Sequence, residues 1–107
     1  MTSFDNRENA FENKFAHDEE VLFKVTARRN KLLGLWAAEK MGLTIEEANS
    51  YATSVVQADF EEAGDEDVVR KLIGDLTTAG VEIDEAAVRD ALETQMIEAR
   101  RQFIEQA

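Results

Sequence analysis

One predicted helix ends and the next begins within Gly42-Leu43-Thr44-Ile45-Glu46-Glu47. Glycine is the residue that most easily adopts the left-handed conformation that closes a helix. Thr44 and Glu47 have the spacing of a capping box, in which the Thr hydroxyl accepts a hydrogen bond from the Glu amide and the Glu carboxylate reaches back to the Thr amide. This stretch therefore predicts two helices joined by a short loop.

The same pattern, a Gly that ends one helix followed by a residue that caps the next, occurs twice more along the chain. Asp65 follows Gly64, and Asp84 follows Gly80, so each Asp is placed to cap a new helix. Acidic residues crowd these starts, as the helix dipole favours. The chain contains no Pro. The pattern predicts four helices, over about 19–41, 44–62, 65–79 and 84–105.

Each predicted helix carries an apolar stripe at helical spacing, which favours an all-α four-helix bundle. Gly34 and Gly74 lie inside helices, where each predicts a close approach of two helices. The stripes are Leu22, Val25, Leu32, Leu33 and Trp36; Ala48, Tyr51, Ala52, Val55, Val56 and Phe60; Val69, Leu72, Ile73 and Leu76; and Val88, Leu92, Met96, Ala99 and Phe103.

Composition excludes several classes of function. The 107 residues include no Cys, which rules out disulfides, thiolate metal sites and Cys nucleophiles. A formal net charge of −11 argues against nucleic acid or an anionic membrane as the main partner. The apolar runs are too short to cross a bilayer, and no apolar signal region is present, so we expect the chain to stay in the compartment where it is made.

No arrangement typical of an enzyme is visible. The only His is His17, with no Cys or second His near it, and there is no phosphate-binding P-loop motif. The acidic run from Asp59 to Asp67 resembles part of a calcium loop, but Ala63 and Arg70 stand where ligands are required. We therefore predict a non-enzyme without a resident cofactor or metal, and weak cation binding at this run is the alternative.

The basic run Arg28-Arg29-Asn30-Lys31 has two readings. It is either a solvated helix face that pairs with acidic residues of the second and third helices, or a patch for an anionic partner surface or a nucleotide phosphate.

Residues 1–18 also have two readings. Phe4, Phe11 and Phe15 are spaced by seven and four and share one helical face, among polar residues that form helices weakly. Such a segment is either a frayed tail or one that docks into a groove on a partner.

Three long strings carry a family resemblance. They are Phe4-Asp5-Asn6-Arg7-Glu8-Asn9-Ala10-Phe11-Glu12-Asn13-Lys14-Phe15-Ala16-His17-Asp18-Glu19-Glu20, then Ala27-Arg28-Arg29-Asn30-Lys31-Leu32-Leu33-Gly34-Leu35-Trp36-Ala37-Ala38-Glu39, and Asp59-Phe60-Glu61-Glu62-Ala63-Gly64-Asp65-Glu66-Asp67-Val68. Over Phe4 to about Lys71 the chain closely resembles the zeta subunit of alphaproteobacterial F-type ATP synthases.

The resemblance implies a four-helix bundle at 19–107 with a mobile N-terminal inhibitory arm at 1–18, disordered or partly helical when free. It also implies inhibition of ATP hydrolysis, with the arm entering an alpha/beta catalytic interface as a helix near the gamma rotor. The implied location is cytoplasmic, peripheral to the inner membrane through the ATP synthase. We expect a monomer, with partner contacts from Phe4, Arg7, Glu8, Phe11, Glu12, Lys14, Phe15, Arg28, Arg29 and Lys31.

Two other functions fit the residues. The basic patch beside Trp36 could hold an adenine nucleotide, which would make the chain a small sensor that modulates the same complex. Alternatively, the chain is a plain scaffold domain with a dispensable tail.

Overall fold

The computed structural model describes the backbone of residues 3–61 and 64–106, and the side chains of residues 19–59 and 64–105. The described part of the chain consists of four helices and no strand, which confirms the predicted all-α class. Successive helices are joined by short loops. The helices are α1 (Ser3–Met41), α2 (Ile45–Glu61), α3 (Glu66–Thr78) and α4 (Glu85–Gln106).

The first helix is much longer than the sequence pattern predicts. It begins at Ser3 rather than at about residue 19 and runs for 39 residues. The physical reason is the absence of a helix breaker, because no Pro or Gly occurs before Gly34. Weak helix formers in this segment lower helix stability without ending the helix. The division of the chain into an arm at 1–18 and a bundle at 19–107 stays a prediction.

All four helices contribute to one core, and α1 is its centre. α1 packs against α2, α3 and α4, whereas α2 and α4 do not pack against each other in the described part of the chain. The buried core consists of Leu33, Ala37, Val55, Val68, Val69, Leu72, Leu76, Val88 and Ala91. Most members of the predicted stripes are buried or half-buried there, and the side chain of Phe60 lies outside the described residues.

Leu22 is the clear exception among the predicted core residues. It is 54% exposed, whereas Val25, one turn later, is 4% exposed. The residues that line the surface around Leu22 come only from α1 and the end of α4. In the described structure only the end of α4 flanks this side of α1 and it leaves Leu22 exposed, so the assignment of Leu22 to the core is wrong.

The two helical glycines behave differently. A Cβ at Gly34 would lie 2.7 Å from the Cα of Ala52, so α1 and α2 approach each other closely at this point. Gly74 is exposed, and no atom of the described residues lies within 4 Å of the same position. The prediction of close helix approach is confirmed at Gly34 and wrong at Gly74.

Two of the three predicted caps are present. The Glu47 amide donates to Thr44 Oγ1 at 3.2 Å, and the Thr44 amide donates to Glu47 Oε1 at 3.0 Å, which completes the capping box. The hydrogen bond from the Thr44 backbone, and to a smaller degree the one with its side chain, lowers the pKa of Glu47. The Ala87 amide donates to Asp84 Oδ1 at 2.9 Å. Thr44 and Asp84 therefore start α2 and α4 as predicted.

Asp65 does not cap α3 with its side chain. Its backbone already has helical angles, φ −80° and ψ −14°, and its carboxylate makes no cap hydrogen bond. A capping residue needs extended angles for its side chain to reach back to the first amides. The Asp65 carboxylate instead accepts a hydrogen bond from Arg29 of α1.

Candidate functional site

The residues predicted to contact a partner divide into an arm group and a basic group. The arm group lies on α1, whose helical backbone begins at Ser3. Positions spaced by seven and four residues share one side of such a helix. The arm side chains lie outside the described residues, so their contact roles stay predictions. They are Phe4, Arg7, Glu8, Phe11, Glu12, Lys14 and Phe15.

Arg29, from the basic group, belongs to the interior. Its side chain is 3% exposed, and its Nη2 donates to Asp65 Oδ1 at 2.9 Å. Its Nε and Nη2 also donate to Asn30 Oδ1, at 3.1 and 2.9 Å. These bonds tie α1 to the start of α3. Direct contact between Arg29 and a partner would require the guanidinium to leave both acceptors.

Replacing Asp65 with Ala is expected to lower the free energy of unfolding by about 2 kcal/mol, because a buried guanidinium loses its carboxylate. The loss stays below that for a fully buried pair, since the Asp65 side chain is 50% exposed. Asp65→Ser separates the two roles of this residue. Ser is a good helix cap, so a capping role predicts unchanged stability, whereas the ion-pair role predicts a loss similar to that of Ala. Urea unfolding measures both variants.

Asn30 is fully buried beside Arg29. Its Oδ1 accepts both Arg29 bonds, which fixes the orientation of the amide. None of the described residues accepts a hydrogen bond from its Nδ2. The same side chain borders a small cavity of about 140 Å³ that also contacts Phe23, Thr26, Ala27, Val56 and Asp59. Arg29 and Asn30 together therefore serve packing and orientation inside the bundle.

Arg28 and Lys31 lie on another side of α1, along an open groove between α2 and α4. Lys24, Ala27, Arg28 and Lys31 have the i, i+3, i+4, i+7 spacing of one helix face. The groove encloses about 510 Å³. We call it the α2–α4 groove, and its lining consists of Phe23, Lys24, Ala27, Arg28, Lys31, Val56 and Phe103.

Hydrogen bonds hold Arg28 at the rim of this groove. Its Nη1 donates to Gln102 Oε1 of α4 at 3.0 Å, and Gln102 Nε2 donates to Glu98 Oε1 at 3.1 Å. Arg101 and then Gln102 lower the pKa of Glu98 to about 2. Glu98 is therefore charged at neutral pH and keeps the Gln102 amide oriented toward Arg28.

Sequence reasoning found only part of the groove. It grouped Arg28, Arg29 and Lys31 by adjacency, whereas the structure brings Arg28 and Lys31 to the groove and turns Arg29 inward. The helical spacing from Lys24 to Lys31 was the available signal for the residues that line the groove. Val56 and Phe103 come from other helices, and no local pattern could have identified them.

The structure does not bring Trp36 to the groove. Lys40 Nζ lies 5.1 Å from the centroid of the Trp36 ring, and Trp36 is not among the groove residues. An adenine base beside Trp36 would therefore lie away from Arg28 and Lys31. Nucleotide binding stays a prediction.

No metal site or membrane span appears in the parts of the chain that the structure describes. Among those residues, no three His, Asp or Glu side chains are grouped to hold a metal ion. The predicted weak cation run includes Phe60, Glu61, Glu62 and Ala63, whose side chains lie outside the description, and its Asp65 binds Arg29. None of the described helices is both long enough and apolar enough to span a bilayer.

Comparison with known proteins identifies relatives. Residues 1–102 match the family model described as ATPase inhibitor subunit zeta. A protein solved by solution NMR is 52% identical in sequence and matches with a TM-score of 0.70, over 79% of this chain and 96% of its own. No curated protein sequence matches this chain.

Proposed function

We propose, from the premise that the chain belongs to the family of ATPase inhibitor zeta subunits, that it inhibits ATP hydrolysis through its N-terminal arm. Membership implies association with the ATP synthase complex. In this proposal the arm enters an alpha/beta catalytic interface as a helix and contacts the gamma subunit. The observation that carries the proposal is the continuity of α1, which runs without a break from Ser3 into the bundle core at Leu33.

A helix held in a catalytic interface can stop hydrolysis without chemistry of its own. ATP hydrolysis by a rotary enzyme requires its catalytic interfaces to open and close in turn. A helix is about 10 Å in diameter when its side chains are included, so a helix held in the interface prevents it from closing. Because the arm continues α1, the position of the bundle on the enzyme would fix the direction in which the arm points.

The arm alone is too weak to be the whole inhibitor. Ordering a free segment costs roughly 1–2 kcal/mol per residue for the backbone. Full burial of the apolar residues Phe4, Phe11 and Phe15 contributes only about 1.5–3 kcal/mol each. The bundle is therefore proposed to bind the enzyme as well and to raise the effective concentration of the arm.

Arg28 and Lys31 are the best placed of the predicted basic contacts. Both line an open groove, and Lys31 is exposed to solvent. Arg29 acts in this proposal by fixing α1 on α3 rather than by direct contact. The chain is proposed to act as a monomer in the cytoplasm, peripheral to the inner membrane through the ATP synthase.

The proposal is tested by ATP hydrolysis by the cognate F-type ATPase with increasing amounts of the full chain. We expect the rate to fall and to level off at one chain per enzyme, since one wedged interface is sufficient to stop rotation. An unchanged rate at a saturating concentration, with binding shown by co-sedimentation, would contradict an inhibitory role for this chain.

The second candidate is an adenine-nucleotide sensor acting on the same complex. The observation in its favour is that three basic side chains and two aromatic rings line the α2–α4 groove, where they could contact the phosphates and the base of a nucleotide. ADP titration monitored by amide chemical shifts tests it. We expect no shift at Lys24, Arg28 or Lys31 up to millimolar ADP if the chain is only an inhibitor, and saturable shifts at these residues would favour the sensor.

A further inference from the structure

The α2–α4 groove has a lining that differs from the rest of the surface. Its seven residues are four apolar and three basic, with no acidic residue among them. The whole chain has 23 acidic residues against 12 basic ones. Where the lining is described, its charges are all positive, and in so acidic a protein this concentrates attraction for anionic groups at one place.

We infer that the α2–α4 groove docks an acidic amphipathic helix of the ATPase. Apolar side chains of that helix would lie on Ala27 and between Phe23 and Phe103. Its carboxylates would pair with Lys24 and Lys31. This inference rests on the proposed function and deepens it, because it assigns the surface and the chemistry by which the bundle holds the enzyme.

The shape of the groove favours a helix as its occupant. α2 and α4 both pack on α1 but not on each other, which leaves an open channel along α1. Amphipathic helices bind proteins by laying an apolar face in such a channel. Ala27 contributes a small side chain to the lining, so it leaves room for a side chain from the partner.

The net charge of the chain distinguishes between three possible occupants of the groove: a second copy of the chain, nucleic acid and an acidic helix of a partner. A second copy of this chain also carries a net charge of −11 and would be repelled overall. Nucleic acid is disfavoured for the same reason, and it would also leave the apolar part of the lining uncovered. An acidic amphipathic helix would cover the apolar residues of the lining and pair with its basic residues.

Lys24 and Lys31 can pair with carboxylates of a partner, since Lys31 is exposed to solvent. Gln102 holds Arg28 at the rim, as described above. Lys24 pairs with Glu20 at 3.0 Å, but both side chains are more than half exposed. Exposed pairs of this kind are weak, so Lys24 can exchange Glu20 for a partner carboxylate at little cost.

Charge reversal provides the first test. In the full chain, Lys31→Glu is expected to weaken binding to the ATPase about tenfold, the effect of losing one desolvated charge pair and adding one repulsion. Arg70→Glu is the matched control, because Arg70 is an exposed basic residue on α3, outside the groove. We expect the control to bind within about twofold of wild type. An equal loss of affinity in both variants would indicate general electrostatic attraction and would overturn the proposal that the groove is the docking site.

Filling the groove provides a second test that changes no charge. Ala27→Leu is expected to weaken binding about tenfold by occupying the space of the partner side chain. Ala86→Leu is its control, because Ala86 is exposed on α4 and does not line the groove. Thermal unfolding checks that both variants are folded. Binding by Ala27→Leu equal to that of the control would overturn the proposal.

Cross-linking identifies the chemistry of the occupant. A carbodiimide joins a Lys amine directly to a carboxylate, so in the wild-type complex we expect links from Lys24 and Lys31 to acidic residues one helical turn apart in one ATPase subunit. Links scattered over several subunits would overturn a single docked helix.

The failure of the groove and the failure of the proposed function are distinguishable. Groove variants should raise the concentration needed for half-inhibition while leaving inhibition at saturation unchanged, because the arm is intact. If the wild-type chain inhibits and the groove variants match their controls, only the groove proposal fails. If the wild-type chain neither binds nor inhibits, both proposals fail.

Discussion

Gly34→Val is expected to lower the free energy of unfolding by about 3 kcal/mol, the upper part of the range for overpacking a core. A Cβ at this position would lie 2.7 Å from the Cα of Ala52 and 3.2 Å from Val55 Cγ2. The first of these atoms is backbone, so it cannot turn away. α1 and α2 would have to separate, and the core that contains Leu33 and Val55 would loosen.

The matched control is Gly74→Val. Gly74 is also inside a helix, but no atom of the described residues lies within 4 Å of its Cβ position. Val is a slightly better helix former than Gly, so we expect the control to be neutral or stabilising by a few tenths of a kcal/mol. Thermal unfolding should show the Gly34 variant melting more than about 10 °C lower than wild type. A melting temperature within about 2 °C of the control would show that α1 and α2 are not closely packed.

These two glycines show what local sequence can and cannot predict about the fold. Both interrupt a helical pattern, and nothing within five residues of either one tells a close approach from an open surface. The distinction depends on Ala52, which belongs to another helix. Element type was predictable because the stripe period and the capping residues are local, whereas packing partners are not.

The caps show the same limit. Thr44 and Asp84 act as predicted because their partners are three residues away on the same helix. Asp65 has the same local signature but accepts from Arg29, 36 residues earlier. A long-range ion pair outcompetes a local cap here, since the charged donor is buried and lacks other carboxylate partners in the described structure.

The sequence shows the basic residues of the candidate site but not how they are arranged. A basic run on an acidic chain predicts a partner surface on α1, and this role stays a prediction. Adjacent residues on a helix point in different directions, about 100° apart, so Arg28 and Arg29 could not share one surface. The groove itself depends on Val56 and Phe103, which tertiary packing brings to α1.

Deleting residues 1–18 is expected to abolish inhibition of ATP hydrolysis while retaining binding of the bundle. In the proposed function the arm obstructs the catalytic interface and the bundle supplies the anchor. The described buried apolar residues lie between Val25 and Ala99, so removal of the arm leaves them all in place. The deleted chain should therefore fold, and it should compete with the full chain for the enzyme.

Substitution at Leu22 is a useful companion to this deletion. Leu22 lies on α1 just after the proposed arm and is exposed, so Leu22→Ser alters that region without changing helix length or the core. It should inhibit like the wild-type chain. This control separates loss of the arm from a general disturbance of α1.

The most direct measurement is the rate of ATP hydrolysis by the cognate F-type ATPase with the full chain and with the chain of residues 19–107, each at a concentration that saturates binding. We expect strong inhibition by the full chain, none by the shortened chain, and relief of inhibition when the shortened chain is added in excess. Equal inhibition by both chains would contradict it, because the bundle alone would then block the enzyme and the arm would have no inhibitory role.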